Sequence, residues 1–244
     1  MATLFISDLH LTASRPEITA AFLDFLGTRA RGCDALYILG DLFEYWVGDE
    51  AIHFDDVAPV VAALKSLSDE GTPLYIMRGN RDLLFGAAFA GAIGATLLDD
   101  PCVVDLYGQP TLLSHGDYLC TDDVEHQKFR AMVHDPAYQK TFLEKPLAER
   151  DAIIQGFRDM SKSATAMKPE EIMDVNRDAV REAMQQHGVR RFIHGHTHRP
   201  AIHELSIDGQ PAKRIVLGDW YTQGSVVVCD AWDCRLQTIP FSQD

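Results

Sequence analysis

Apolar residues fall in short unbroken runs and in helical spacings, and the two alternate through the first third of the chain. Residues 3–7 form a short run that reads as a buried strand. Within residues 16–31, Ile18, Phe22, Phe25 and Leu26 recur at the spacing of one helix face. Ala35–Leu39 reads as a second strand, residues 57–67 as a second amphipathic helix closed by Gly71, and Leu74–Met77 as a third strand. Strand, helix, strand, helix, strand predicts a parallel sheet built from βαβ units.

The pattern then changes. Residues 103–107 and 111–114 flank Gly108-Gln109-Pro110, a hairpin signal. From 122 to 187 no strand pattern stands out, and helical stretches are broken at Pro136, Pro146 and Pro169. Residues 122–187 are therefore expected to form a helical cap inserted into a single domain spanning 1–244. Strand patterns resume at Arg191–His194, 202–207, 214–217, 225–229 and 235–239, with a turn at Asp208-Gly209. The expected fold class is α/β, a two-sheet sandwich with a helical cap. The longest uncharged stretch, residues 83–98, has 16 residues and three glycines. That is short of the ~20 a membrane-spanning helix needs, and it reads better as a short helix followed by a strand.

Composition narrows the function classes. With 46% hydrophobic and 24% charged residues in 244, the chain has material for a sizeable core and is neither disordered nor fibrous. Its 36 acidic and 22 basic residues give a net charge of −14. Such a field repels nucleic acid, so no nucleic-acid partner is expected, and an anionic substrate must be drawn by local charge. The five cysteines, Cys33, Cys102, Cys120, Cys229 and Cys234, are odd in number and form no C-x-x-C pair. They predict no disulfide framework and a reducing compartment. Residues 1–7 are too short for a secretory signal before Asp8 and His10 follow. A soluble cytosolic protein is expected, with surface contact to a membrane left open.

The candidate chemistry lies at strand ends. Successive strands run into Ser7-Asp8-Leu9-His10, Gly40-Asp41-Leu42-Phe43, Arg78-Gly79-Asn80-Arg81-Asp82, Ser114-His115-Gly116-Asp117 and His194-Gly195-His196-Thr197-His198. In open α/β sheets ligands bind at the carboxyl edge of the strands. The donors are histidine, aspartate and asparagine with no thiolate, a set suited to Mn²⁺, Fe²⁺, Zn²⁺ or Mg²⁺. Seven of them (Asp8, His10, Asp41, Asn80, His115, His196, His198) are too many for one ion and suit two, with Asp41 shared. Two metals ~3.5–4 Å apart clamp the attacking and leaving oxygens of a phosphoryl displacement. Their four positive charges exceed the two of Asp8 and Asp41, leaving the site positive by about two charges for a phosphate diester or diphosphate.

The ordered set D-x-H, G-D, G-N-x-D, a lone histidine and G-H-x-H resembles the calcineurin-like metallophosphoesterase family over nearly the whole chain. The resemblance implies a two-sheet β-sandwich flanked by helices and a dinuclear centre. Asp8, His10, Asp41 and His198 would ligate one metal, and Asp41, Asn80, His115 and His196 the other. Most members carry histidine after the asparagine; here the position is Arg81, which stays charged and donates to phosphate. That departure is similar to one branch of the family, which hydrolyses the diphosphate of UDP-2,3-diacylglucosamine in lipid A synthesis. Residues 6–11, Gly40-Asp41-Leu42-Phe43-Glu44, residues 119–123, residues 172–176 and residues 194–200 match it as well.

The resemblance further implies attack of a metal-activated water on the α-phosphorus, giving UMP and 2,3-diacylglucosamine 1-phosphate. It implies two Mn²⁺ per chain bridged by Asp41, with Asp41, Asn80, Arg81 and His115 carrying catalysis. Substrate contacts fall on Asn80, Arg81, Asp123, Ser161, Thr165, Lys168 and His196, and the helical insertion would hold the acyl chains. A peripheral place on the cytoplasmic face of the inner membrane follows, with no obligate protein partner. Phe142, Leu143, Ile153, Ile154, Phe157 and Met160 beside Arg150, Arg158, Lys162 and Lys168 form an apolar face with basic flanks. Such a face rests on an anionic bilayer or packs on the sandwich. Two alternatives stay open: another phosphoesterase of the same fold, and a non-catalytic scaffold.

Overall fold

Every residue of β1 (Thr3–Ile6) and β2 (Ala35–Leu39) is buried. A parallel strand covered on both faces needs apolar residues throughout, which is why both read as unbroken runs. The computed structural model describes residues 2–165 and 170–241, and the side chains of these except 159–165 and 170–171. β1, β2, β3 (Leu74–Met77) and β4 (Ala95–Leu98) pair in parallel. They are joined by α1 (Pro16–Gly27), α2 (Ala58–Asp69) and α3 (Ala87–Ile93). β10 (Gln223–Cys229) and β11 (Cys234–Pro240) extend this sheet antiparallel, in the order β11-β10-β1-β2-β3-β4. A second sheet holds β5 (Cys102–Leu106), β6 (Gln109–Ser114), β7 (Arg191–His194), β8 (Ala201–Ile207) and β9 (Gln210–Val216), ordered β5-β6-β7-β9-β8. Its three central strands, β6, β7 and β9, are parallel.

The sheets pack face to face. Phe5, Leu39 and Met77 of the first meet Leu113, Ile193 and Ile215 of the second. Alternation sends Leu4 and Ile6 the other way, against Ile18, Phe22 and Phe25 of α1. Between β6 and β7 the described residues are helical: α4 (Val124–Val133), α5 (Pro136–Leu143), α6 (Leu147–Thr165), a 3₁₀ turn (Glu170–Met173) and α7 (Arg177–Gln186). Asp123, Asp135 and Asn176 cap α4, α5 and α7, each accepting from backbone N–H groups of the first turn. α7 closes the outer face of the second sheet with Val180, Ala183 and Met184 against Leu112 and Phe192.

Three expectations need correcting. α1 stops at Gly27: the Ala30 N–H reaches back five residues to the Phe25 carbonyl at 3.0 Å, outside the helical pattern, and Gly32 takes a φ of 70°. The hairpin turn is Tyr107-Gly108, with φ of 57° and 82°, a two-residue turn that matches strand twist. Gln109 and Pro110 therefore belong to β6, where β7 pairs only from Thr111 and needs no N–H from Pro110. Cys229 and Cys234 are joined by a disulfide where they face each other across β10 and β11, a register that residue spacing does not reveal. Of the two readings of the apolar helical face, packing on the sandwich holds for Arg150 and Arg158: Arg150 donates to the Val47 carbonyl at 2.8 Å and Arg158 to Glu44 at 3.1 Å. Phe142 and Ile154 pack inside with them. No helix among the described residues is long and apolar enough to cross a membrane.

Candidate metal centre

The seven expected donors sit just past the carboxyl ends of five strands: Asp8 and His10 after β1, Asp41 after β2, Asn80 after β3, His115 after β6, His196 and His198 after β7. Five of them hold positive φ: Asp8 57°, His10 49°, Asp41 52°, His196 70° and His198 55°. Among the described non-glycine residues only Tyr107 and Asp208 share this, each in a hairpin turn. A left-handed L-residue costs on the order of 1–2 kcal/mol, so the fold sets these side chains against local backbone preference. Glycine makes the close approach possible. A Cβ on Gly79 would stand 2.1 Å from Asp41 Oδ1, and one on Gly195 2.4 Å from Asp8 Oδ2.

The donor atoms converge. Asp8, His10 and His198 form one group with ligand atoms within 4.8 Å of one another, and Asp8, Asp41 and His115 form a second. Asp41 faces both, with Oδ2 3.6 Å from His10 Nε2 and Oδ1 3.6 Å from His115 Nε2. Asn80 Oδ1 lies 2.9 Å from His115 Nε2. His196 falls in neither group, but its ring lies against His115 at 5.1 Å between centroids, and its N–H donates to both oxygens of Asp8. Two divalent cations fit this set of nitrogen and oxygen donors, the dinuclear centre that the family implies.

Surrounding groups fix the donors. His115 Nδ1 donates to the Leu39 carbonyl at 2.9 Å, aiming Nε2 into the site. His198 Nδ1 lies 3.3 Å from Asp219, and His10 Nδ1 3.4 Å from Glu44. Asp82 accepts from the N–H groups of Gly79, Asp41, Leu42 and Phe43, binding the β2 and β3 exits together. Burial opposes charge on His198, but hydrogen bonds to Asp219 and Asp8 outweigh it and raise its pKa to about 10. His115, also buried, is raised to about 9 by the charges of Asp41 and Asp8. Asp8 goes the other way: its burial is outweighed by His198, His115 and His10, which hold it well below the usual carboxylate range. Burial and the neighbouring charge of Asp41 push Asp82 up to about 7. Burial beside His115 holds His196 well below the usual histidine value.

A cavity of about 590 Å³ opens from these donors toward the helices. Its lining includes His10, Asp41, Asn80, Arg81, His196 and His198 and also the apolar Leu84, Phe129, Val133, Phe142, Ile154 and Phe157. Arg81 and Asp123 both line it, although Asp123 also caps α4. The side chains of Ser161 and Thr165, and the whole of Lys168, lie outside the described residues. Sequence reasoning missed Glu44, Asp219 and His126, whose ring stacks on His196 at 5.4 Å. Asp219 had a signal: Leu217-Gly218-Asp219 follows β9 as Leu39-Gly40-Asp41 follows β2.

Relatives share nearly the full length of the chain. A UDP-2,3-diacylglucosamine hydrolase of Aeromonas hydrophila is 52% identical over 97% of this chain and 98% of its own. Proteins of the same name from Stenotrophomonas maltophilia and Escherichia coli are each 53% identical, covering 98% and 99% of this chain and 99% and 100% of their own. The family model for calcineurin-like phosphoesterase matches residues 1–200, a span running from the first donor strand through the paired histidines after β7. The chain therefore belongs to the calcineurin-like phosphoesterase family.

Proposed function

We propose that the chain hydrolyses the diphosphate of UDP-2,3-diacylglucosamine, water attacking the α-phosphorus to give UMP and 2,3-diacylglucosamine 1-phosphate, a step of lipid A biosynthesis. The observation that carries this is the continuity of one cavity from a cluster of metal-type donors to a wall of aromatic and aliphatic side chains. A diphosphate bearing acyl chains needs both ends at once. The 52–53% identical relatives support the same substrate.

Two divalent cations, read as Mn²⁺, would supply positive charge for the diphosphate and activate water near neutral pH. Asp8, His10, Asp41 and His198 would hold one and Asp41, Asn80, His115 and His196 the other, with Asp41 shared. The backbone N–H of Arg81 donates to Asp41 Oδ1 at 2.8 Å, which fixes the residue's main chain next to the donors, and Arg81 lines the cavity. Charged at any relevant pH, it donates to the phosphate oxygens as negative charge builds in the transition state. Asn80 and His196 contact the substrate from the donor side, and Asp123 from the helical side. Ser161, Thr165 and Lys168 are kept as substrate contacts on the resemblance alone. Residues 122–187 serve as a cap over the sandwich, with the acyl chains along Phe129, Phe142 and Phe157. The protein works at the cytoplasmic face of a membrane, where such a lipid resides; Val124, Met132 and Leu143 are exposed apolar side chains on α4 and α5.

The test is turnover of UDP-2,3-diacylglucosamine with Mn²⁺ in ¹⁸O-water. UMP carrying the label and an unlabelled lipid phosphate is the expected result. Label in the lipid product would place the attack at the other phosphorus, and no turnover of this lipid alongside turnover of other phosphodiesters would reject the substrate.

A further inference from the structure

Glu44 stands where three parts of the molecule meet. It lies three residues beyond Asp41 and is 8% exposed. Its Oε2 is 3.4 Å from His10 Nδ1, a nitrogen buried with no hydrogen bond of its own, and accepts from Arg15 Nη2 at 3.2 Å. Its Oε1 accepts from Arg158 Nη2 at 3.1 Å, and Arg158 belongs to α6 of the helical segment. Arg158 also lies over the Tyr45 ring at 5.1 Å and lines the cavity. A single carboxylate thus touches a metal-type histidine with one oxygen and the cap with the other.

The geometry points to Glu44 as a positioning residue that couples the seating of α6 to the orientation of His10, and so to the tightness of one cation site. The chemistry is that of a histidine ligand whose remote nitrogen is held by a carboxylate, an arrangement whose loss costs roughly 10–100-fold in metal affinity. What distinguishes this carboxylate is its second partner. When α6 is seated, Arg158 fixes Oε1 and leaves Oε2 for His10. When α6 lifts, the carboxylate keeps only its Arg15 anchor and holds the imidazole less firmly. Arg15 cannot replace Arg158: it binds the same oxygen that faces His10 and also donates to the His10 carbonyl at 2.8 Å. Substrate that holds the cap down would therefore tighten the centre, and metal would favour the closed cap by the same factor.

The inference rests on the dinuclear reading, and titration of the metal-free chain with Mn²⁺, followed by the paramagnetic resonance of the free ion, tests both. Wild type is expected to bind two ions. Glu44→Gln keeps the shape and removes the charge, and should weaken one ion by about tenfold or more while leaving the other. Arg158→Ala, on a different element and touching no donor, should weaken the same ion by a smaller factor. The double variant should lose no more than Glu44→Gln alone, since Arg158 acts through Glu44. Additive losses, or an Arg158→Ala chain that binds Mn²⁺ as wild type does, would overturn the coupling even with two ions bound. A wild-type chain that takes up no Mn²⁺ would overturn the metal centre itself and this inference with it.

Discussion

Gly79 shows how little room the donors leave. A methyl group there would overlap Asp41 Oδ1 and lie 2.4 Å from the Asp41 nitrogen, both in the loop that brings Asp41 to the site. Gly79→Ala should keep the fold, since the residue lies past the strand, yet shift Asp41 and abolish most metal-dependent turnover. Circular dichroism and a Mn²⁺ titration on the same preparation check this; unchanged metal binding would show that Asp41 can move freely. Asp100 offers a different test, because it is not itself a donor, although it interacts with Ser114, next to His115. Its Oδ1 is buried without a partner, and burial together with the charge of Asp117 raises its pKa to about 6. Unfolded, it titrates at the ordinary carboxylate value of about 3.8. The folded state thus favours the proton, and this contribution is complete below about pH 4 and lost as pH rises through 6. Asp100→Asn carries no such charge. It should gain about 1–2 kcal/mol over wild type between pH 4 and 7.5, with the partial exposure of the residue keeping the figure low. Urea unfolding at the two pH values measures it, and an equal difference at both would exclude the carboxylate as its source.

At the scale of elements, Arg150 is the second tie between cap and sandwich. It is 4% exposed and donates to the Lys145 and Val47 carbonyls and to Glu50. Arg150→Met fills the same space and leaves the Val47 carbonyl without a donor, at about 1–3 kcal/mol. Amide exchange in the first turns of α6 should speed roughly 10–100-fold, as each 1.4 kcal/mol is tenfold. Exchange at the wild-type rate would show that Phe142 and Ile154 hold the helix by packing alone. The same residue shows where sequence reading stops. β1 and β2 were legible because strands buried on both faces must be apolar throughout, and the donors because their types recur after each strand. The fate of Arg150 and Arg158 was not legible. A basic residue beside an apolar face looks the same in sequence whether it meets a lipid headgroup or a buried carbonyl. Glu44 was hidden for a like reason, since its partners come from β1's exit and from α6, far away in sequence. The Gly108-Gln109-Pro110 turn misled because proline and glycine both signal turns, while the register of β6 against β5 decides which of them makes one.

Across the whole molecule, the two sheets meet at the donors, and the donors are divided between them. Asp8, His10, Asp41 and Asn80 leave the first sheet, while His115, His196 and His198 leave the second. Polar cross-links span this edge among the described residues, such as the His196 backbone N–H on Asp8 and the His115 ring on the Leu39 carbonyl. Two cations held by both sets would therefore staple one sheet to the other, and binding to the folded state alone must raise its stability. At a hundredfold excess over the dissociation constant each site contributes about 2.7 kcal/mol, so two give about 5. For a chain of this size that is roughly 10–20 °C in melting temperature. Chelator should remove the gain and Mn²⁺ restore it. The division between sheets makes a sharper demand. His198→Ala removes the one ligand that the second sheet gives to the ion of Asp8, His10 and Asp41, and should cut most of that ion's share of the gain, because the cation is then tied to the first sheet alone. If His198→Ala gained as much from Mn²⁺ as wild type, that ion would be held by the first sheet alone, and His198 would be only part of the cavity wall.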